Sequence, residues 1–474
     1  MKHYVWSAVQ RFGTQIVSFL GNILIARILT PDDYGLVAML AIFMSIAMNF
    51  TESGFADYLI RNPKSDRQDF SVVFVHNIVF SIVIYTILYF SAPWIAEFYD
   101  RSELVAITRV LGLGIVFRSI SLSEFTRLRK SLDFKKLAII QIFSAFFSVM
   151  VGYLLALNGF SYWALIAQIL VQGIITIVML IVLREWKSTL YFDMEKYKAM
   201  RKFGNHMIVS YFTNQIGANL YNVFIAKFYN SQMLGFYNQA DKINKISFQS
   251  INGIILTTSY SLLANEKDRA RRLEMYKRLL NQFLLIHFTL SLLLIAISRP
   301  LLGFVYGEQW LPTAPLLQLL LISFLFQPII NLNANIVKIE NKPHVYRNLT
   351  FLRNGLMLLA LMVTYSISIE VIMLGQIIAR MISSVVGVLV CGKYIGFFPY
   401  QQLKISCKQL IAPGVALAVV YLVVYQLVPD NYFMSLILFS LSFVLVFVGV
   451  NVLIKNDTFY DLFYKFKIML KRKI

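Results

Sequence analysis

Cysteine and acid are the scarce residues of this sequence: 2 Cys in 474 residues, and 24 Asp and Glu against 44 Lys and Arg. The cysteines, Cys391 and Cys407, fall at or beyond the end of an apolar run. No Cys/His cluster accompanies them, which argues against both a disulfide framework and a metal centre. Charge of either sign is thin, at 14% of residues. With 58% hydrophobic and 15% aromatic residues, and a mean hydropathy of +0.66, the chain is too apolar for a soluble globule. No Gly-x-x-x-x-Gly-Lys-Ser/Thr phosphate loop occurs, so the chain is not expected to hydrolyse ATP. Nothing in the pattern calls for a cofactor.

What the sequence does contain is apolar runs of about 20 residues, the length that crosses a hydrocarbon core of about 30 Å as helix. The expected fold class is all-α, a polytopic membrane protein of about fourteen transmembrane helices. They are read at 6–28, 34–52, 72–92, 104–124, 137–157, 161–183, 206–228, 234–262, 280–298, 313–337, 349–367, 369–391, 410–428 and 432–454. The eighth and tenth look long enough to be tilted or broken. Arg11 interrupts the first run and no small-residue cleavage site follows, so it reads as an uncleaved span rather than a signal peptide.

The formal net charge of +20 is distributed as membrane orientation demands. Alternate connections gather Arg127, Arg129, Lys130, Lys135 and Lys136, then Arg184 to Lys202, then Lys267 to Arg278, and the tail adds Lys455 to Lys473. The opposite connections hold little more than Arg101 and Arg299, within the regions 93–103 and 299–312. This asymmetry puts both termini in the cytoplasm and lets the basic tail favour an anionic leaflet of membrane lipids. Nucleic acid is not the expected partner.

The chain also repeats itself. At an offset of 200 positions, Val9, Phe12, Gln15, Ile16, Leu20, Asn22, Ile25, Ala26 and Gly35 meet identical residues, from Val209 to Gly235. Self-similar halves are a mark of transporters whose two lobes share a central site. Six-helix lobes are therefore expected at 1–183 and 206–391, joined by a cytoplasmic linker at 184–205. Two added helices at 392–454 and a basic tail at 455–474 complete the organisation. At about 100° per residue, Arg11, Thr14, Gln15, Ser18 and Asn22 share one face of the first helix, and Asn214, Gln215 and Asn222 redraw it on the second copy. A polar stripe on a membrane-length helix should face a protein interior or a wet cavity.

Charges inside spans are the main functional signal, because one near the bilayer centre costs about 2.5–3.5 kcal/mol even on the lenient scale. The eighth span carries Asn238, Asp241, Lys242, Lys245, Gln249 and Asn252 on one face, a net positive wall suited to an anionic group. Arg118 and Arg380 lie near the middle of their spans; Arg11 lies in the inner half. Arg353 is near enough to the inner end to snorkel, and Arg109 lies near the outer end. Substrate contact is accordingly assigned to Lys242, Lys245, Arg118, Arg380 and Arg11. Gln15, Asn22, Gln215, Asn222, Asn238, Gln249 and Asn252 are assigned to the cavity lining. Asp241 is the one acid placed for ion coupling. His76, His206 and His287 are scattered singly and read as helix-packing residues. Thr30-Pro31-Asp32-Asp33 reads as a capped helix start, and Gly307–Trp310 as part of an interfacial aromatic belt.

Ala26-Arg27-Ile28-Leu29-Thr30-Pro31-Asp32-Asp33-Tyr34-Gly35-Leu36 resembles the early signature of bacterial polysaccharide exporters of the Wzx flippase type. Similarity extends to Arg127–Phe134, Leu234–Ala240 and Gly307–Trp310, and covers essentially the whole chain. These exporters belong to a superfamily that also holds multidrug extruders and lipid II flippases. The resemblance implies two six-helix lobes plus two helices, alternating access, and passage of an undecaprenyl-pyrophosphate-linked oligosaccharide across the bacterial cytoplasmic membrane. It further implies work beside a saccharide polymerase and chain-length machinery. A cation-coupled drug exporter is the alternative, although it would call for membrane carboxylates where the midspan excess here is basic. A membrane glycosyltransferase or saccharide polymerase is disfavoured: no Asp-x-Asp pair occurs, and no outer loop is large enough to carry a catalytic base.

Overall fold

The computed structural model describes residues 2–183, 185–426 and 431–471; the side chains of 2–4, 205–214, 216–218, 249–252, 254, 255, 257, 343, 395, 425, 466 and 469–471 lie outside that description. Among the described residues helix is the only regular structure apart from turns. The first nine helices are α1 (Lys2–Ala26), α2 (Pro31–Met39), α3 (Ala41–Glu52), α4 (Phe55–Arg61), α5 (Arg67–Tyr99), α6 (Glu103–Lys130), α7 (Phe134–Leu157), α8 (Trp163–Val182) and α9 (Met194–Phe228). There follow α10 (Ser231–Asn265), α11 (Arg269–Val305), α12 (Thr313–Ser323), α13 (Gln327–Ile339), α14 (Pro343–Thr364), α15 (Ile369–Ile395), α16 (Pro399–Leu422), α17 (Tyr432–Leu453) and α18 (Asp457–Lys471).

Ten of these crossings are long and apolar enough to span a bilayer, taking α2 with α3 and α12 with α13 as one each. The other four expected spans fall on α1, α9, α10 and α14, of 25, 35, 35 and 22 residues. Each exceeds the minimum of about 17 residues for a spanning helix. They are also the helices that carry Arg11, Gln215, Lys242 and Arg353. The chain is an all-α, multi-pass membrane protein. Its helices turn large apolar side chains outward, among them Phe90, Trp94, Leu422 and Leu445, each at least 67% exposed. That pattern suits a hydrocarbon solvent.

One proline explains where a crossing breaks, and two others lie inside helices that run on. The span expected at 313–337 breaks between α12 and α13, because Pro328 has no N–H to offer the Phe324 carbonyl four residues back. His287 Nε2 lies 3.0 Å from that oxygen, so this histidine is a packing residue, as expected. His76 is another: its Nε2 sits 3.2 Å from Ser53 Oγ, under the Phe55 and Phe80 rings. The His206 side chain lies outside the described residues. Pro93 lies inside α5, so the region expected as the loop 93–103 is mostly helix. The Tyr89 carbonyl that Pro93 leaves without an N–H accepts from Arg109 Nε at 3.4 Å. Likewise α11 continues through Pro300 to Val305, which shortens the connection expected at 299–312.

The chain forms two compact units, Met1–Gly235 and Phe236–Ile474. Helix α9, which begins the second copy of the repeat, packs on α2, α3, α4 and α5 and so falls in the first unit. Within that unit Ile25 and Leu29 pack against Ala156, Ala164 and Leu165. Leu128, Leu137, Ile140 and Leu180 form a second cluster under Trp186. A third joins Phe55, Leu59, Phe70 and Val73 to Met200 of α9. In the second unit the Tyr276 hydroxyl, fully buried, donates to Asn333 Oδ1 at 2.7 Å. Trp310 corrects an expectation. It is 0% exposed, packed edge-on against Phe236 and near Tyr306, and is not part of an interfacial belt. Gly307, at φ +100°, starts a short 3-10 turn whose tryptophan is buried.

Candidate functional site

The polar stripe of α1 lines a cavity. Ser7, Gln10, Arg11, Thr14, Gln15 and Ser18, with Arg129 of α6 and Gln141 of α7, enclose an open recess of ≈ 440 Å³ in the first unit. The α1 positions run i, i+3, i+4, i+7, i+8 and i+11, which is one face of a 3.6-residue helix. Gln10 Nε2 donates to Gln141 Oε1 at 3.1 Å, which ties the stripe to α7. None of the eight lining residues is an acid. Arg11 is exposed, and neither it nor Arg129 is ion-paired with a described residue.

Asn22, expected in the same lining, is only 8% exposed. The Tyr34 hydroxyl lies 3.4 Å from both its Oδ1 and its carbonyl oxygen. Its side chain packs toward α2 and is absent from the cavity wall. Reading α1 alone also missed Arg129 and Gln141. By sequence Arg129 counts among the cytoplasmic loop charges, and the approach of α7 to α1 leaves no local trace in sequence.

The remaining expected residues have diverse fates. Arg118 Nη2 lies 3.7 Å from Glu52 Oε1, a pair that sequence spacing could not reveal. Gln215 Oε1 accepts from Asn219 Nδ2 at 3.2 Å, and Asn219 Nδ2 also lies 3.4 Å from Ser45 Oγ. Asn222 is half-buried on the same helix. In the second unit, Lys245 Nζ and Asp241 Oδ2 pair at 2.5 Å, one turn apart on α10. Lys242, between them, is exposed and has no ion-pair partner among the described residues. Asn238 is half-buried one turn earlier. The side chains of Asn214, Gln249 and Asn252 lie outside the described residues. Arg380 stacks over the Phe324 ring at 3.7 Å and donates to Gln327 Oε1 at 3.4 Å.

The repeat also builds a tight seam. Thr30 caps α2 and Pro31 is its first helical residue, as the sequence suggested; the structure adds a reciprocal capping box between Thr30 and Asp33. Gly35 lies so close to the first turn of α10 that a Cβ there would overlap the Ser231 carbonyl. The equivalent Gly235 would overlap the Pro31 carbonyl, and Pro31 and Ser231 are themselves equivalent at the offset of 200. Only glycine permits main chains to approach this closely. Polar contacts lock the seam: Ser231 Oγ bonds Asp32, Arg101 Nη1 donates to Ser231 Oγ at 2.7 Å, and Arg101 Nη2 lies 3.3 Å from Asp32 Oδ2.

A family model described as polysaccharide biosynthesis protein matches residues 24–315. The chain belongs to this family. Among its relatives, the teichuronic acid biosynthesis protein TuaB of Bacillus subtilis is 27% identical over 338 residues, 70% of this chain and 69% of that one. The lipopolysaccharide biosynthesis protein WzxC of Escherichia coli is 21% identical over 336 residues, covering 69% and 67%. In fold, the chain is similar to the lipid II flippase MurJ in an inward closed conformation, with a TM-score of 0.73, 16% identity, and 98% and 100% of the two chains covered. An inward-facing multidrug resistance transporter of the MATE family gives a TM-score of 0.60 at 16% identity, covering 82% and 98%. For this family member, the solved structures define the fold alone.

Proposed function

We infer that this family member is a flippase, not an enzyme, and that it moves polyprenyl-pyrophosphate-linked oligosaccharide across the bacterial cytoplasmic membrane for surface polysaccharide synthesis. The observation that carries the reading is the acid-free cavity on α1, α6 and α7, with Arg11 and Arg129 in its wall. A guanidinium binds phosphate oxygens bidentately, so such a wall suits a pyrophosphate or an acidic sugar. A cationic drug would require the opposite sign. The names of the relatives, concerned with teichuronic acid and lipopolysaccharide, support the same cargo class.

In this reading the two repeats form six-helix lobes at 1–183 and 206–391, joined by the linker 184–205, and α16 and α17 are additions that offer the lipid tail a surface. Both termini are cytoplasmic, by the charge asymmetry. The headgroup crosses through the polar interior while the polyprenyl chain stays in lipid. Lys242 is the cation that α10 adds, with no ion-pair partner among the described residues. Asp241, paired with Lys245, is the acid available for ion coupling. Gln15, Gln215, Asn222 and Asn238 are cavity groups for the sugar. The seam of Gly35, Gly235, Asp32, Ser231 and Arg101 acts as the outer gate, which must part for release. A saccharide polymerase would take the product.

The test replaces Arg11 and Arg129 together with Gln. Polymer export should stop, with the protein still in the membrane and lipid-linked repeat units accumulating on the cytoplasmic side. Unchanged export would remove the site; a drug-sensitivity phenotype in its place would favour a drug exporter.

A further inference from the structure

A second cationic recess lies wholly inside the second unit. Helices α13, α14 and α15 bound a cleft of ≈ 40 Å³ whose wall includes Asn333, Tyr346, Thr350, Arg353, Ser383 and Gly387. On α14, Tyr346, Thr350 and Arg353 stand at i, i+4 and i+7, a single stripe turned to the cleft. The recess shares no residue with the cavity on α1.

The polar groups of the cleft are not equally engaged. Thr350 Oγ1 donates to the Tyr346 carbonyl at 2.9 Å and Ser383 Oγ to the Arg380 carbonyl at 2.9 Å. Asn333 accepts from Tyr276 at 2.7 Å and donates to Gln402 Oε1 at 3.3 Å. Glu340, the acid at the end of α13, is held by Arg272 at 3.2 Å. Arg353 is the exception: no hydrogen bond or ion pair joins it to any described residue. Lys338, outside the cleft wall, holds its Nζ 4.5 Å from the centre of the Tyr346 ring. Opposite, a Cβ at Gly387 would meet nothing within 4 Å, so α15 leaves room at the wall.

A guanidinium on a membrane-length helix, with no acceptor among the described residues, needs a counter-anion or water. Its planar fork matches two oxygens of a phosphate group. The enclosed volume admits roughly two or three oxygen-sized atoms, so a phosphate would seat its oxygens and keep its substituent outside. We propose that the cleft between α13, α14 and α15 binds a phosphate-class oxyanion through Arg353, with Tyr346 and Thr350 in the same wall. Two sources carry this chemistry: the headgroup of an anionic phospholipid, or free phosphate. The proposal stands apart from the transport reading and survives its failure.

Thermal melting of the full-length, delipidated protein in detergent tests it. Inorganic phosphate, phosphatidylglycerol and phosphatidylcholine are titrated against the wild type, Arg353→Gln, Arg347→Gln and Gly387→Leu. The wild type should gain melting temperature saturably with phosphate or phosphatidylglycerol, and not with phosphatidylcholine. Response to inorganic phosphate assigns the free ion; response to phosphatidylglycerol alone assigns the lipid. Arg353→Gln should shift half-saturation at least tenfold, while Arg347→Gln, which alters an exposed arginine outside the cleft, should not. If Arg353→Gln does not fold, Gly387→Leu keeps the arginine, fills the recess and should abolish the response. A wild type indifferent to both phosphates, an unshifted Arg353→Gln, or a Gly387→Leu that still responds overturns the proposal.

Discussion

Arg127 and Arg129 stand two residues apart on α6, about 200° around the helix from each other, and they have opposite fates. Arg127 Nε bonds Glu124 Oε2 at 2.8 Å and its Nη2 reaches Glu185 Oε2 at 3.0 Å. Glu124, fully buried, also accepts the main-chain N–H groups of Lys187 and Ser188 at 2.8 and 2.5 Å. That face of α6 holds the linker that follows α8. Arg129 turns to the cavity, where no acid lines the wall. The difference teaches that two arginines on one helix are clamped or left to a cavity according to which helices approach them. The same contrast recurs on α10, where Lys245 is paired with Asp241 and Lys242 has no ion-pair partner among the described residues.

The clamp face can be broken hardest. Glu124→Ala leaves Arg127 and two N–H groups without their buried partner, and stability should fall by about 3–5 kcal/mol, read as a lower melting temperature and faster proteolysis at 185–189. Next is the seam. Gly35→Ala or Gly235→Ala forces a Cβ into a carbonyl and should cost about 1–3 kcal/mol, whereas Gly449→Ala, with nothing within 4 Å, should be neutral or stabilising. Equal melting temperatures for the three would refute the close approach.

The cavity face should respond in transport rather than stability. Arg129→Gln alone should lower export tenfold or more, about 1.4 kcal/mol, at unchanged melting temperature. A matching loss of stability would make Arg129 structural. On α10, Lys242→Gln should impair export more than Lys245→Gln; the reverse order would assign the role to the paired lysine. The smallest effect concerns pH. Burial alone would raise the Glu185 carboxyl, but hydrogen bonds from Lys136 and Arg127 hold it below its ordinary value. Its contribution is therefore full above the unfolded value of about 4.3 and lost as pH falls through the lowered one. Amide exchange at 185–189 should rise only in that acid range, and Glu185→Gln should remove the dependence.

Much of this was legible from residues alone. Hydropathy reads the crossings because each must satisfy its own main chain in lipid, and α17, expected at 432–454, runs Tyr432–Leu453. Helical periodicity placed Arg11, Thr14, Gln15 and Ser18 on one face, and the structure sets all four in one wall. The capped helix start at Thr30 and the packing roles of His76 and His287 were readable too, since each rests on neighbours in the chain or on the scarcity of partners.

What composition and spacing determined, then, is the class, the crossings and which helices carry polar groups, all properties of a single segment facing lipid. Tertiary structure alone decided which charges remain free. Arg118 finds Glu52 66 positions away, Asn22 turns to Tyr34, Trp310 goes inward, and Arg129 joins a wall with Gln141. Pairing depends on the approach of helices distant in sequence, and a charge on one helix records nothing about the acid that another helix brings to it.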